Sequence, residues 1–147
     1  MPGIQLTDDM VEMISRAIDT DNVMVLAVVD KNNRPSLTFR GSTAVYGPDQ
    51  LSLWVRNAGG DTIRAIEHNP HVAMMYRSKS VPFLEFRGRA RVVADPEEKN
   101  RVFDLAHEKE QQGDPERKGT AVIIDLDRVN GVIGFDDNGP VWCNMER

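Results

Sequence analysis

The chain has 147 residues, of which 40% are hydrophobic and 28% are charged, and its formal net charge is −5. This length is sufficient for one domain with its own hydrophobic core, and we predict a single domain over residues 1–147. The acidic balance, without a run of Lys and Arg, argues against binding to nucleic acid or to an anionic membrane surface. The single cysteine excludes an internal disulfide framework.

The N-terminal sequence MPGIQLTDDM lacks the basic start and the apolar run of a signal peptide. No apolar stretch approaches the roughly 20 residues that a membrane-spanning helix needs. We therefore expect a cytoplasmic protein.

The first third of the chain predicts one helix followed by strands. Thr7 is placed to cap a helix whose first turn carries two aspartates. Residues 23–29 form a short apolar run rich in β-branched side chains, which favours a strand. A loop over residues 30–35 leads to a second predicted strand over residues 36–46, broken or bulged at Gly41.

Residues 51–76 form the most informative segment. Residues 51–56 alternate between two sets of side chains with period two, which is typical of a half-buried strand. Gly59-Gly60 supplies a turn, Asp61 or Thr62 can cap the short helix that follows, and Asn69-Pro70 ends it.

This helix start is a potential anion site, because free backbone N–H groups point out of a helix N-terminus. Arg56 precedes it and Arg64 lies within it. The alternative interpretation is a solvated turn with two surface arginines.

The remaining sequence predicts further strands and a second main helix. In residues 84–92, apolar side chains alternate with a cationic row at Arg87, Arg89 and Arg91, which predicts either an ion-pair row or a cleft for an anion. Asp95-Pro96 marks a helix start, and this helix is predicted to end near Gln112-Gly113. Later strands are predicted over residues 121–126, 129–135 and 141–145.

The predicted fold class is mainly β, with an α+β composition. Six to seven strands accompany two main helices and one short helix, and no βαβ alternation occurs, which argues against a Rossmann-type sheet. The pattern favours a mostly antiparallel barrel with helices packed at its ends or on one side.

The segment 51–76 resembles the core of the pyridoxamine 5'-phosphate oxidase-like family of FMN-binding split β-barrels. The order of elements agrees with that family from about residue 23 to about residue 135. The matching residues are Arg56-Asn57, Gly59-Gly60, Ile66 and Asn69-Pro70, followed by His71-Val72-Ala73.

The resemblance implies a homodimer that holds FMN in the cleft between its subunits and works as a small flavin-dependent oxidoreductase. Arg40 occupies the position of a phosphate-binding arginine, and Thr62 and Arg64 complete the phosphate site. Arg56 and Asn57 end the strand where the family's backbone meets the flavin ring. No residue is expected to act as a general acid or base, since the flavin supplies the chemistry.

The chain departs from the family pattern at two places. Gly60-Asp61-Thr62 stands where many members carry a Ser-Arg-Lys or similar cluster, so that Asp61 would repel a phosphate unless it faces away, and Arg64 could compensate. The basic C-terminal segment associated with pyridoxal phosphate is missing, which argues against a vitamin B6 oxidase. The substrate stays undetermined.

Several alternatives stay open. One is a reductase that uses the 5-deazaflavin coenzyme, another is a non-catalytic flavin or haem binder, and a third is a cofactor-free stress protein. Trp142 is predicted either to fill the core or to stack near a flavin ring. His68 and His71 have metal-like spacing, but Asn69-Pro70 separates them without a third ligand, so no metal site is predicted.

Overall fold

The computed structural model describes residues 3–147. Met1 and Pro2, which the predicted domain includes, lie outside the described residues. The elements in chain order are α1 (Asp8–Ser15), β1 (Val25–Val29), β2 (Pro35–Phe39), β3 (Ala44–Gly47), β4 (Gln50–Val55), α2 (Asp61–His68), β5 (His71–Arg77), β6 (Phe83–Val93), α3 (Pro96–Leu105), α4 (Glu108–Gln112), β7 (Thr120–Asp136) and β8 (Gly139–Glu146).

All eight strands join in one antiparallel sheet with the order β2-β1-β5-β6-β7-β4-β3, and β8 pairs with β7. The sheet is open between β2 and β3, which agrees with a split barrel. The predicted fold class is therefore confirmed, although eight strands and four helices replace the six to seven strands and three helices expected. Within residues 3–147, no helix combines the length and apolar character needed to cross a membrane.

Strand β7 is one element of 17 residues, whereas two strands were predicted over this part of the chain. It continues because the β6–β7 register shifts between Arg87 and Gly88, leaving Asp127 as an extra residue opposite β6. A Cβ on Gly88 would lie 2.3 Å from the Asp125 carbonyl oxygen, so only glycine permits this close approach of the two backbones.

Strand β4 is buried on both faces, and the prediction of a half-buried strand was wrong. Leu51, Leu53 and Val55 belong to the main core inside the barrel. Trp54 faces the other way into a second core, where it packs against Phe103 of α3 with a ring-centroid distance of 5.0 Å. Helix α3 covers this face, which the local alternation of residues could not reveal.

The observed N-cap residues agree with the predicted ones for two of the three predicted helices. Thr7 caps α1 and Asp95 caps α3 through side-chain hydrogen bonds. Helix α2 instead begins after Gly60, and neither Asp61 nor Thr62 caps it. The long predicted helix after Asp95 is two helices, because the backbone is extended at Ala106 and His107 caps α4.

We predict that Gly88→Ala destabilises the fold by roughly 2 kcal/mol or more, because the added methyl group collides with backbone rather than with a flexible side chain. Gly134→Ala on β7 is the matched control, since a Cβ there meets nothing within 4 Å. Urea unfolding monitored by tryptophan fluorescence measures both free energies of unfolding. Equal stability of the two variants would contradict the close approach at Gly88.

Candidate functional site

A cleft of about 390 Å³ opens where β2 and β4 end and α2 begins, with α4 on its far side. Gly60, Asp61 and Thr62 at the start of α2 form one wall. Its lining comprises Phe39, Arg40, Ser42, Trp54, Val55, Arg56, Asn57, Gly60, Asp61, Thr62 and Glu110.

Arg40 lies directly after β2, and hydroxyl groups hold its guanidinium. Its Nη2 donates to Thr62 Oγ1 at 2.6 Å, and its Nε donates to Thr38 Oγ1 at 3.0 Å. Burial lowers the pKa of Arg40, and the negative charge of Glu110 acts in the opposite direction. An arginine stays protonated at neutral pH even so, and Arg40 therefore brings a half-buried positive charge to the cleft.

Arg64 points away from this cleft toward a second cavity. It donates to the Gly59 carbonyl at 3.1 Å and forms an ion pair with Asp61, whose side chain is 97% exposed. The second cavity, of about 600 Å³, adjoins the cleft and shares Asp61 and Thr62 with it. The Asp61 carboxylate is thus turned to solvent and is neutralised by Arg64.

Arg56 forms an ion pair with Glu110 of α4. Sequence reasoning missed Glu110 because α4 reads as a solvated run of Glu, Lys and Gln. Only the packing of α4 over the end of β4 brings its carboxylate into the cleft. The cleft lining therefore contains two acids, Asp61 and Glu110, beside the two arginines.

The turn between β4 and α2 is closed by its own backbone. The Gly60 N–H donates to the Asn57 carbonyl at 3.1 Å. The Asn57 side chain lies so close to Gly60 that a Cβ there would be 2.7 Å from Asn57 Nδ2. This packing keeps Asn57 at the cleft wall.

Trp54 forms a rigid wall of the cleft. Its indole N–H donates to Asp114 Oδ2 at 2.9 Å, while its backbone N–H and carbonyl both bond to the Ser42 hydroxyl. Asp114 also accepts the N–H groups of Lys118 and Gly119. Burial raises the pKa of Asp114, but these three donors outweigh it and hold the pKa below its ordinary value of 3.8.

The structure brings four of the five predicted cofactor-binding residues to one cleft: Arg40, Arg56, Asn57 and Thr62. Arg64 lines the adjoining cavity instead. The role of these five residues in cofactor binding stays a prediction.

Among residues 3–147, no group of three or more His, Cys, Asp and Glu side chains is arranged to hold a metal ion.

Trp142 is 69% exposed, so the expectation that it fills the core was wrong. It pairs with Val132 near one end of β7, whereas the cleft residue Val55 pairs with Thr120 at the other end. The flavin-stacking alternative would therefore require a second copy of the chain.

The cationic row of β6 is a row of ion pairs: Arg87–Glu85, Arg89–Asp127 and Arg91–Asp125.

One face of the sheet exposes large apolar side chains, and we call it the apolar sheet face. Residues paired directly across antiparallel strands share a face, and the registers place these side chains on one face through Val25 and Val132. The same face also carries Arg77 and Glu85, which pair with Phe83 and Met75. Phe39 belongs to this face and also lines the cleft. The face comprises Leu37, Phe39, Met75, Phe83 and Trp142.

The model of the family described as pyridoxamine 5'-phosphate oxidase matches residues 10–132. No curated protein matches the chain. Solved structures do match it: HupZ of Group A Streptococcus has a TM-score of 0.62 at 20% identity, with 84% of this chain and 90% of that chain covered.

Two further structures have similar scores. A heme binding protein from Mycobacterium smegmatis has a TM-score of 0.64 at 16% identity, with 92% of this chain and 57% of that chain covered. A Clostridium acetobutylicum protein related to general stress protein 26, of the pyridoxinephosphate oxidase family, has a TM-score of 0.62 at 9% identity, with coverages of 91% and 95%. At these identities the likeness shows a shared fold.

We predict that Asp114→Asn lowers the free energy of unfolding by about 1–3 kcal/mol at pH 7, because an amide cannot accept all three N–H donors. The carboxylate's stabilisation is fully present above pH 3.8, the ordinary pKa, and is lost as the pH falls through the lower folded-state pKa. The difference between the two proteins should therefore shrink below pH 3.8. Asp137→Asn, in the exposed β7–β8 turn, is the control in urea unfolding across pH. A difference that is independent of pH would refute this account.

Proposed function

The chain belongs to the pyridoxamine 5'-phosphate oxidase family, and we propose that it is a cytoplasmic, single-domain FMN-binding oxidoreductase. The FMN would lie in the cleft lined by Arg40, Arg56, Asn57 and Thr62, with Arg64 close by. The substrate is a small molecule whose class the cleft does not specify.

One observation carries this proposal: the half-buried Arg40 guanidinium is held by hydroxyl groups beside the N-terminus of α2. Because Thr38 and Thr62 are neutral partners, they orient the guanidinium without consuming its charge. A guanidinium fork, a threonine hydroxyl and helix N-terminal amides are the donors that suit a phosphate monoester. The residues present therefore fit the phosphate group of FMN.

The unusual Asp61 is compatible with this assignment. Its carboxylate faces solvent and pairs with Arg64, which removes most of the repulsion that an acid at this position would exert on a phosphate. Arg64 then acts on Asp61 rather than on the phosphate directly. This arrangement favours a phosphate site centred on Arg40 and Thr62.

FMN, when bound, supplies the transfer of hydride or electrons. The contribution of the chain is to bind and orient. Arg40 and Thr62 would hold the phosphate end, and Asn57 with the end of β4 would position the ring end. Trp54 keeps this wall fixed, since its indole and backbone are tied to Asp114 and Ser42.

We further propose a homodimer formed through the apolar sheet face, with the cofactor at the subunit interface. Leu37, Phe39 and Trp142 are each at least 69% exposed, and several large apolar side chains exposed on one sheet face favour a protein contact. Because Phe39 belongs to both the face and the cleft, a second copy on this face would form the missing wall of the cleft. Trp142 of the partner is then the candidate for ring stacking.

The 5-deazaflavin coenzyme is the second candidate, and the adjoining cavity favours it. That cavity adjoins the cleft at Thr62 and has room for a longer tail, and its cations Lys31 and Arg64 are accompanied by Asp30 and Asp61. A non-catalytic flavin or haem binder and a cofactor-free stress protein complete the alternatives. Retention of added cofactor through gel filtration, followed by turnover with NAD(P)H and an electron acceptor, separates all of these.

We predict that Arg40→Ala weakens FMN binding by about 1–3 kcal/mol, which corresponds to about 5–150-fold in Kd. Arg64→Ala should cost less than about 1 kcal/mol, because its ion pair with Asp61 is exposed. Quenching of flavin fluorescence measures each Kd, with Arg16→Ala on the exposed face of α1 as the control. If Arg40→Ala binds FMN like the control does, the phosphate assignment is wrong.

For the dimer, we predict that Leu37→Glu and Trp142→Glu each convert the protein to a monomer, since a charge would be buried in an apolar contact. Leu105→Glu on α3 is the matched control, because Leu105 is also exposed but lies away from the apolar sheet face. Light scattering coupled to gel filtration gives the mass of each variant. A wild-type monomer, or dimers of all variants, would exclude this interface.

A further inference from the structure

The cleft lining includes a carboxylate of the protein itself, that of Glu110. Glu110 comes from α4, which lies outside the segment 51–76, and its side chain is 21% exposed. It forms an ion pair with Arg56, and its charge also acts on Arg40. The carboxylate thus touches one of the cleft's two arginines and lies within electrostatic reach of the other.

Close approach to two glycines fixes this arrangement. A Cβ on Gly41 would lie 2.6 Å from Glu110 Oε1, so the carboxylate rests against the backbone between β2 and β3. A Cβ on Gly113 would lie 2.5 Å from Arg56 Cζ, so the guanidinium rests against the backbone that follows α4. The Glu110 carboxylate is therefore largely covered, whereas the Arg56 side chain stays 55% exposed.

Helix α4 itself is anchored independently of this ion pair. The Gln111 side chain donates to the carbonyls of Phe103, Asp104 and Ala106 at the end of α3. His107 Nδ1 accepts the Lys109 N–H, and its Nε2 lies 2.8 Å from Asp19 Oδ1. The Glu110 side chain can consequently leave Arg56 by rotating about its own bonds while the helix stays in place.

We propose that Glu110 is an internal competitor for the anion-binding cleft: its carboxylate pairs with Arg56 and repels a phosphate or other anionic group that binds at the neighbouring Arg40. This inference rests on the proposed function for the identity of the ligand. Two anions in one cleft repel each other, and because the Glu110 side chain is 21% exposed, solvent screens this repulsion only in part. Glu110 therefore lowers the affinity of the cleft for anions and sets how readily the site is occupied.

The test compares Glu110→Gln with Glu108→Gln, which removes the same charge from the same helix but at an exposed position outside the cleft. Two probes are titrated into each protein and into the wild type: FMN by fluorescence quenching, and inorganic phosphate by the shift in melting temperature. We expect Glu110→Gln to bind FMN about 5–10-fold more tightly than the wild type, as the loss of about 1 kcal/mol of repulsion predicts. Glu108→Gln should match the wild type.

The two probes separate the inference from the proposed function. If no protein binds FMN but Glu110→Gln gains affinity for phosphate, the flavin assignment fails and the internal competitor stands. If the wild type binds FMN and Glu110→Gln binds it equally or less tightly, the competitor is refuted while the proposed function survives. A loss of affinity would mean that Glu110 holds Arg56 in a productive position. If neither probe binds to any variant, both proposals are wrong.

Discussion

Strand β7 forms backbone hydrogen bonds along both of its edges, and the rest of the fold depends on that pairing. It pairs with β6 on one side, and with β4 and then β8 on the other. A strand shared by three neighbours must bend, and the extra residue at Asp127 opposite Gly88 provides the bend. The bend separates the sheet into two parts: one carries the cleft at the end of β4, and the other carries the outer strand β8.

The cleft exists because several chain segments end at the same place. Strand β4 ends at Val55, the turn at Gly60 begins α2, and β2 ends one residue before Arg40. Segment ends that are not held in place would make a poor binding site. Here, hydrogen bonds from buried polar groups hold them. Asp114 and Ser42 accept and donate hydrogen bonds around Trp54, so the second core beneath α3 supports the cleft wall.

The charges at the cleft are arranged in pairs that change what each residue can do. Arg64 neutralises Asp61 on the solvent side, whereas Glu110 neutralises Arg56 on the α4 side. Arg40 alone is held by hydroxyl groups. A simple count of arginines would predict a strongly cationic cleft, but the pairing concentrates the available charge on Arg40. This charge pattern is the basis on which the phosphate site is proposed at Arg40.

The sequence by itself determined the fold class, the helix starts at Thr7 and Asp95, and the turn and short helix that end at Asn69-Pro70. Local periodicity and capping chemistry encode these features. Through the resemblance to a known family, the sequence also predicted Arg40 and Thr62 as cofactor-binding residues, and both line the cleft. Only the tertiary structure decided that β4 is buried on both faces, that Trp142 is exposed, and that Glu110 enters the cleft. Each of these depends on which distant element packs against the residue, and the residues adjacent in sequence do not determine that contact.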